Sequence, residues 1–378
     1  MQHLFCTRCS KIWLSSRLFV TLQTYGKKNK RMSEKKKTKR RGIRILLALL
    51  LLVALVLGGV AYYYFYSPFS AREETQYVYI DKGDDIAKVY AMLDTIGKPH
   101  SLQGFKKLAA WDDYASHVKE GRYAIKPGAS TKEVFRNLKN GEQEPLNVTV
   151  PSARTMESLA KTVASKLQFD SVALYKALTD PATCAKLGFD TVSIYCLFIP
   201  ETYNMYWTVS VDGFLERMKK EHDNFWNEER LSKARKLGLS PNEVVTLASI
   251  VAEESNYAPE KPTIAGLYLN RLRKGILLQS DPTVKFAMHD FALRRIYNRM
   301  LTIDNPYNTY KYAGLPPGPI RVPNVVDIDA VLNYKQHNYI YMCAKEDFSG
   351  SHNFAVTEAE HNANANRYRA ALNARGIK

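Results

Sequence analysis

Ser240-Pro-Asn-Glu-Val-Val-Thr-Leu-Ala-Ser-Ile-Val-Ala-Glu-Glu-Ser255 has the pattern of a capped helix that faces a core. Ser240 and Glu243, three residues apart with Pro241 between them, make a capping box with proline at the first helical position. Val244, Leu247, Ala248, Val251 and Ser255 recur at helical spacing and define a buried stripe. At 100° per residue Glu254 falls on the edge of that stripe, beside Leu247 and Ile250. Glu253 points the opposite way and reads as solvated helix surface. A carboxyl against apolar surface has its charged form disfavoured and its pKa raised, which suits a general acid. Position alone favours a plainer role for Glu254, that of an ion-paired edge residue.

The surrounding segments reverse that balance. Downstream lie Gln279-Ser-Asp-Pro-Thr-Val284, Tyr307-Asn-Thr-Tyr310 and Gly314-Leu-Pro-Pro-Gly-Pro-Ile320, and upstream Leu197-Phe-Ile-Pro-Glu-Thr-Tyr203. They are polar, aromatic and rich in Pro and Gly, so they read as ordered loops, where binding groups concentrate. In this order they resemble the endolytic murein transglycosylases, the MltG/YceG-like family, from about residue 75 to the C-terminus. The Ala-Ser-Ile-Val-x-x-Glu helix and the Leu-Gln-Ser-Asp-Pro-Thr segment carry most of the likeness. The resemblance implies a membrane-anchored lyase that cuts bacterial peptidoglycan strands, with Glu254 as catalytic acid and base. The family often has a second acid two places before that glutamate, where this chain has Ala252.

The net charge of +17 over 378 residues invites a nucleic-acid reading, but its distribution opposes one. Residues 1–44 hold 14 Lys/Arg and one acid, Glu34, whereas the remainder holds 40 basic and 36 acidic residues. The charge belongs to a tail, and no nucleic-acid partner is expected. Residues 45–61 are unbroken apolar or glycine, followed by Tyr62-Tyr-Tyr-Phe-Tyr66. With that aromatic extension the run reaches the roughly 20 residues that cross a bilayer. Basic residues before it and aromatic residues after it place the N-terminus in the cytoplasm and the rest outside. The competing reading, a cleaved signal peptide, fits less well, because the apolar run is long and Tyr62–Tyr66 is a poor cleavage site. Met32 opens a more typical start, so residues 1–31 read as an extension ahead of the true initiator. Cys6 and Cys9 lack the second half of a zinc set. Cys184, Cys196 and Cys343 read as small buried hydrophobes, with a Cys184–Cys196 bridge as the alternative.

The organisation that follows is a basic tail (1–44), a transmembrane helix (45–66), a linker (67–75), a small module (76–146) and a catalytic region (147–378). Tyr77-Val-Tyr-Ile80 alternates as a strand, and Asp84 caps a helix with Ile86, Val89, Tyr90 and Leu93 on one face. A second strand at Arg122-Tyr-Ala-Ile125 precedes a helix from Ser130. These two units, with helical residues 102–114 between them, are similar to the LysM-like module of the same family, whose fold binds N-acetylglucosamine polymers. The alternative is a spacer. In the catalytic region helices are expected over 154–168, 171–179, 211–236, 240–255 and 261–274, with a strand at Tyr339-Ile-Tyr-Met-Cys343 and a closing helix over 357–372. Helices and strands do not alternate strictly, which predicts an α+β fold. No phosphate-binding glycine loop is present.

Cutting a glycosidic bond requires an acid at the leaving oxygen, and ordinary hydrolases add a second carboxylate. The resemblance implies instead that the muramic acid C6 hydroxyl attacks its own anomeric carbon and leaves a 1,6-anhydro end, so that one glutamate suffices. Asp281 and Glu201 are the carboxylates that a hydrolase would recruit, but for each the favoured reading is a structural one, a cap or backbone acceptor in a turn. Gln279, Tyr307, Asn308 and Tyr203 are candidate substrate contacts alongside them. His352 and His361 form no ligand set of the zincin type, so no metal or cofactor is expected. No Ser-His-Asp or Gly-x-Ser-x-Gly signature appears. Beside the lytic enzyme stand a water-using muramidase and a non-catalytic wall-binding scaffold. Association with peptidoglycan synthases is a further implication of the resemblance.

Overall fold

The computed structural model describes residues 9–293 and 296–376. Cys6 therefore lies outside the described residues. The N-terminal helix, Cys9–Ala61, continues as a π-helical turn over Tyr62–Tyr66. Within it Gly26–Tyr66 is long and apolar enough to cross a membrane. Its leucines are more than half exposed, Leu51 and Leu57 among them, so it is not the core helix of a water-soluble unit.

The chain divides into two compact units. The first holds this helix, runs through Val78 and includes Asp84–Lys119 and Ala124–Glu142. Helices Ile86–Asp94, Pro99–Trp111 and Thr131–Asn140 bury Val89, Leu93, Phe105, Val134 and Leu138. Phe105, Tyr114 and Phe135 meet edge to face with centroids 5.5–6.2 Å apart. The cap of the first of these helices is Asp85, whose side chain accepts from Lys88 N, and not Asp84. Both residues are plausible caps, and the choice rests on one position of register. Gly104 lets the helix Pro99–Trp111 approach the aromatic turn, since a Cβ there would fall 2.1 Å from Tyr64 O.

The second unit comprises Tyr79–Gly83, Glu120–Tyr123 and the chain from Gln143 onward. Its strands form two separate antiparallel pairs. Leu146–Thr149 runs antiparallel to Thr202–Met205, with Val148 opposite Tyr203, and Tyr341–Ala344 runs antiparallel to His352–Ala355. Helices dominate, which gives the mixed α+β class expected from the sequence. The stretch expected as one helix over 211–236 is two, Val211–Phe225 and Glu228–Leu237, because Asn227 accepts from Arg230 N and starts a new helix. Asp281–Ala287, expected as loop, is a short helix with proline in its first turn. Cys184 and Cys196 are free and buried, as small hydrophobes should be, while Cys343 is only half-buried.

The helix Pro241–Glu254 forms the capping box read from the sequence, with Ser240 and Glu243 exchanging side chain and backbone bonds at 3.3 and 2.7 Å. Its burial exceeds the expected stripe: every residue from Val244 to Ala252 is inside. Ser249 shows how a hydroxyl is tolerated there. It donates to Thr246 O (2.7 Å) and accepts from Ile320 N (3.0 Å), tying the Pro/Gly-rich segment to the helix.

Candidate active site

Glu254 is the last residue of its helix and lies on the wall of a cavity of about 360 Å³. Its Oε1 accepts from Tyr268 Oη at 2.6 Å and from Ser280 Oγ at 2.5 Å. Burial pushes the Glu254 carboxyl above its ordinary pKa, and the charge of Asp281 pushes the same way, outweighing the two hydroxyl donors. The C-terminal end of the helix dipole also disfavours a negative charge there. Because Oε1 already receives two hydroxyl hydrogens, the acid proton belongs on Oε2.

Each partner is held by its own element. Tyr268 and Arg271, three apart on the helix Lys261–Arg273, share one face. That helix is held against residues 335–339 where Gly266 has no side chain, since a Cβ there would meet Lys335 O at 2.4 Å. Asn270 Nδ2 donates across the same contact to His337 O and Tyr339 O, at 2.7 and 3.1 Å. Ser280 sits in a turn bonded to Thr309: Gln279 N donates to Thr309 O (3.1 Å) and Ser280 N to Thr309 Oγ1 (3.0 Å). Gln279 takes the left-handed conformation, φ +53°, uncommon for a residue with a side chain. Its Oε1 accepts from Arg271 Nη2 at 2.5 Å.

Of the expected site residues, the structure brings Glu254, Gln279 and Asp281 to one cavity. Asp281 is exposed, and its Oδ1 accepts from Tyr310 Oη at 2.6 Å. The others are occupied elsewhere. Glu201 is exposed on the strand pair, with its carbonyl accepting from Val150 N. Tyr203 packs in the core and donates to Ile199 O at 2.7 Å. Tyr307 packs on Phe286, centroids 4.7 Å apart. Asn308, fully buried, donates to Leu301 O and Ile303 O at 2.9 Å each and accepts from Tyr310 N. These four build the scaffold, and none lines the cavity.

Glu253 corrects the expectation of a solvated residue. Its side chain is 12 % exposed, with Arg154 bound to both oxygens at 2.7 and 2.8 Å and Arg321 Nη1 at 2.8 Å. The ion-paired residue is Glu253, and Glu254 is the unpaired one. The sequence reading misses Tyr268, Arg271, Tyr310 and Tyr341 as cavity residues and Ser280 as a partner of Glu254, and gives His352 and His361 no role beyond rejecting them as ligands. Ser280 and Tyr310 lie inside the quoted segments, but no local signal marks Tyr268 or Arg271. Glu260 ties the far wall to the helix end: it accepts from Ser255 Oγ (2.6 Å), from His352 N (3.0 Å), and lies 2.9 Å from His352 Nδ1. A second cavity, of about 430 Å³ beside Asn204, Tyr206 and Arg217, has no carboxyl on its wall.

A model of the YceG-like family matches residues 78–367. The chain belongs to the YceG-like family. Among its relatives is an endolytic murein transglycosylase of Bacillus subtilis (strain 168), 27 % identical over 318 residues, which are 79 % of this chain and 86 % of that protein. A protein of the same name from Streptococcus pneumoniae serotype 2 (strain D39) is 25 % identical over 321 residues, 76 % of this chain and 57 % of the other, so the chain spans little more than half of that relative. The crystal structure of a YceG-like protein from Listeria monocytogenes shares the fold, with a TM-score of 0.52 and 24 % identity over 77 % of this chain and 99 % of that one.

Proposed function

We propose that this YceG-like protein is a membrane-anchored endolytic lytic transglycosylase of peptidoglycan, with Glu254 as its acid and then its base. The observation that carries this reading is a carboxyl with a raised pKa on a cavity wall, held by two hydroxyls on one oxygen. Its names-in-kind, the endolytic murein transglycosylases among its relatives, support the same chemistry. Glu254 Oε2 gives its proton to the leaving O4 of N-acetylglucosamine as the bond from C1 of N-acetylmuramic acid breaks. The carboxylate then takes the proton of the C6 hydroxyl, whose oxygen bonds to C1 and closes the 1,6-anhydro ring. Attack within one sugar has a high effective molarity, which substitutes for a protein nucleophile. Tyr268 and Ser280 fix the carboxylate through both steps and stabilise its charged intermediate state.

A water-using muramidase is the second reading, and Asp281 on the same wall is what favours it. Glu201, the other carboxylate a hydrolase could recruit, is away from the cavity. The acid must be protonated at the start of each turnover, so the rate should fall as pH rises through the raised pKa of Glu254. A cleavage rate still rising over the range above the ordinary glutamate pKa would count against Glu254 as the acid.

In this reading the apolar helix is an uncleaved single-pass anchor in the cytoplasmic membrane, with residues 67–378 outside and residues 76–146 a LysM-like module. The basic tail, the aromatic turn and the exposed leucines support it. A reporter active only outside the cytoplasm should work at the C-terminus and fail ahead of Arg44. The reverse pattern, or a mature chain starting near residue 67, would exclude an anchor with this orientation.

A further inference from the structure

We propose that Arg271, together with His361, anchors a carboxylate of the substrate beside Glu254, so that the cavity selects anionic muramyl strands over neutral N-acetylglucosamine polymers. This rests on the reading of the cavity as a glycan site. Arg271 is 6 % exposed, and buried charges are ordinarily paired. This one is not. Its Nε donates to Leu277 O (2.8 Å), Nη1 to Ile340 O (2.6 Å) and Nη2 to Gln279 Oε1 (2.5 Å), all neutral acceptors. Those bonds use three of the five N–H groups that a guanidinium carries. The ionisable groups that interact with it are the tyrosines 268, 341 and 310 and His361, and among the described residues no carboxylate forms an ion pair with it.

His361 supplies a second, independent observation. Its Nδ1 is buried without a hydrogen-bond partner. Its ring stacks on Tyr341 at 5.2 Å, and the Arg271 guanidinium lies 5.8 Å from the same ring. Both side chains line the cavity. Asp281, the wall's exposed carboxylate, is engaged by Tyr310. A planar guanidinium with free N–H groups matches the two oxygens of a carboxylate. Muramic acid differs from glucosamine by a lactyl ether bearing such a group. Where a stem peptide is attached, that carboxyl is an amide and the free carboxylates lie on the peptide. Either source presents the same chemistry, and a carboxylate bound there would further disfavour ionisation of Glu254.

The test is titration calorimetry on the full chain in detergent with four uncleaved disaccharides. They are N-acetylglucosaminyl-N-acetylmuramic acid, its methyl ester, its dipeptide (L-Ala-D-isoglutamine) form, and chitobiose. The acid, the dipeptide form or both should bind about tenfold or more tightly than chitobiose, a difference of about 1.4 kcal/mol, and which one does identifies the source. The ester should match chitobiose. Arg271→Gln should erase the preference and Arg271→Lys should keep part of it, with circular dichroism reporting the fold of each. Because the acid and the ester are compared on the unmodified chain, a poorly folded variant does not decide the result. Equal binding of all four, or a preference that survives Arg271→Gln, overturns the anchor alone. Failure of every disaccharide to bind overturns the glycan reading and the anchor with it.

Discussion

Glu254→Gln should lower the rate of strand cleavage by roughly 100- to 10,000-fold, the range that a positioned acid-base group contributes, while leaving substrate binding nearly unchanged. The amide oxygen still accepts from Tyr268 and Ser280, so the site keeps its shape, but it has no proton to cycle. Stability should move the other way. A carboxyl whose folded pKa is raised favours the fold fully at pH below its unfolded pKa, and that contribution is lost as pH rises through the folded value. Glu254→Gln removes that loss, so its melting temperature should match the unmodified chain in acid, exceed it progressively as pH rises through the raised pKa of Glu254, and hold a constant excess above it. Glu253→Gln is the paired control, and it is not silent: it leaves Arg154 and Arg321 facing an amide and should cost about 2 kcal/mol with catalysis largely kept in the molecules that remain folded. Full cleavage by Glu254→Gln, or loss of activity confined to Glu253→Gln, would reverse the assignment.

The largest stability effect is expected at Lys261 and Asp327. Lys261 Nζ lies 2.5 Å from Asp327 Oδ1, with the side chains 8 % and 0 % exposed. Asp327 also accepts from Asn324 N at 2.9 Å and so caps the helix Val325–Leu332. The pair joins that helix to the start of Lys261–Arg273, the helix that carries Tyr268 and Arg271. Removing one partner strands the other charge in the interior, a cost of about 3–5 kcal/mol. Lys261→Met should therefore lower stability by that amount in a denaturant titration. The double variant Lys261→Met/Asp327→Asn should recover part of the loss, because no charge is left unpaired. A single variant within about 1 kcal/mol of the unmodified chain would mean the pair is solvated and contributes little.

What the sequence makes legible here is local. Ser240, Pro241 and Glu243 specify a helix start within four residues, and the apolar spacing fixes the register that puts Glu254 at its last turn. The Asn227 cap is hidden in the sequence because an amphipathic pattern running from 211 to 236 masks a break that only the Asn227 side chain enforces. The solvated reading of Glu253 fails because a single-face stripe is an incomplete description of a helix buried all round from Val244 to Ala252. Its two arginines lie 99 and 68 residues away in sequence, so nothing in the window around it shows them. The same holds for the site. Glu254, Gln279 and Asp281 sit in recognisable segments, but Tyr268 and Arg271 reach the cavity only through helix packing at Gly266 and Asn270. Tyr203 and Asn308 carry the polar chemistry of ligand contacts and use it to hold loops together.

The central claim, one glutamate and no protein nucleophile or activated water, is tested most directly by the mass of the new glycan ends. Strands cut by the full chain should end in a 1,6-anhydro sugar, one water lighter than a reducing end, and Asp281→Asn should give the same product even where it slows the reaction. Reducing ends in place of anhydro ends, lost together with Asp281, would contradict the account and establish a two-carboxylate hydrolase.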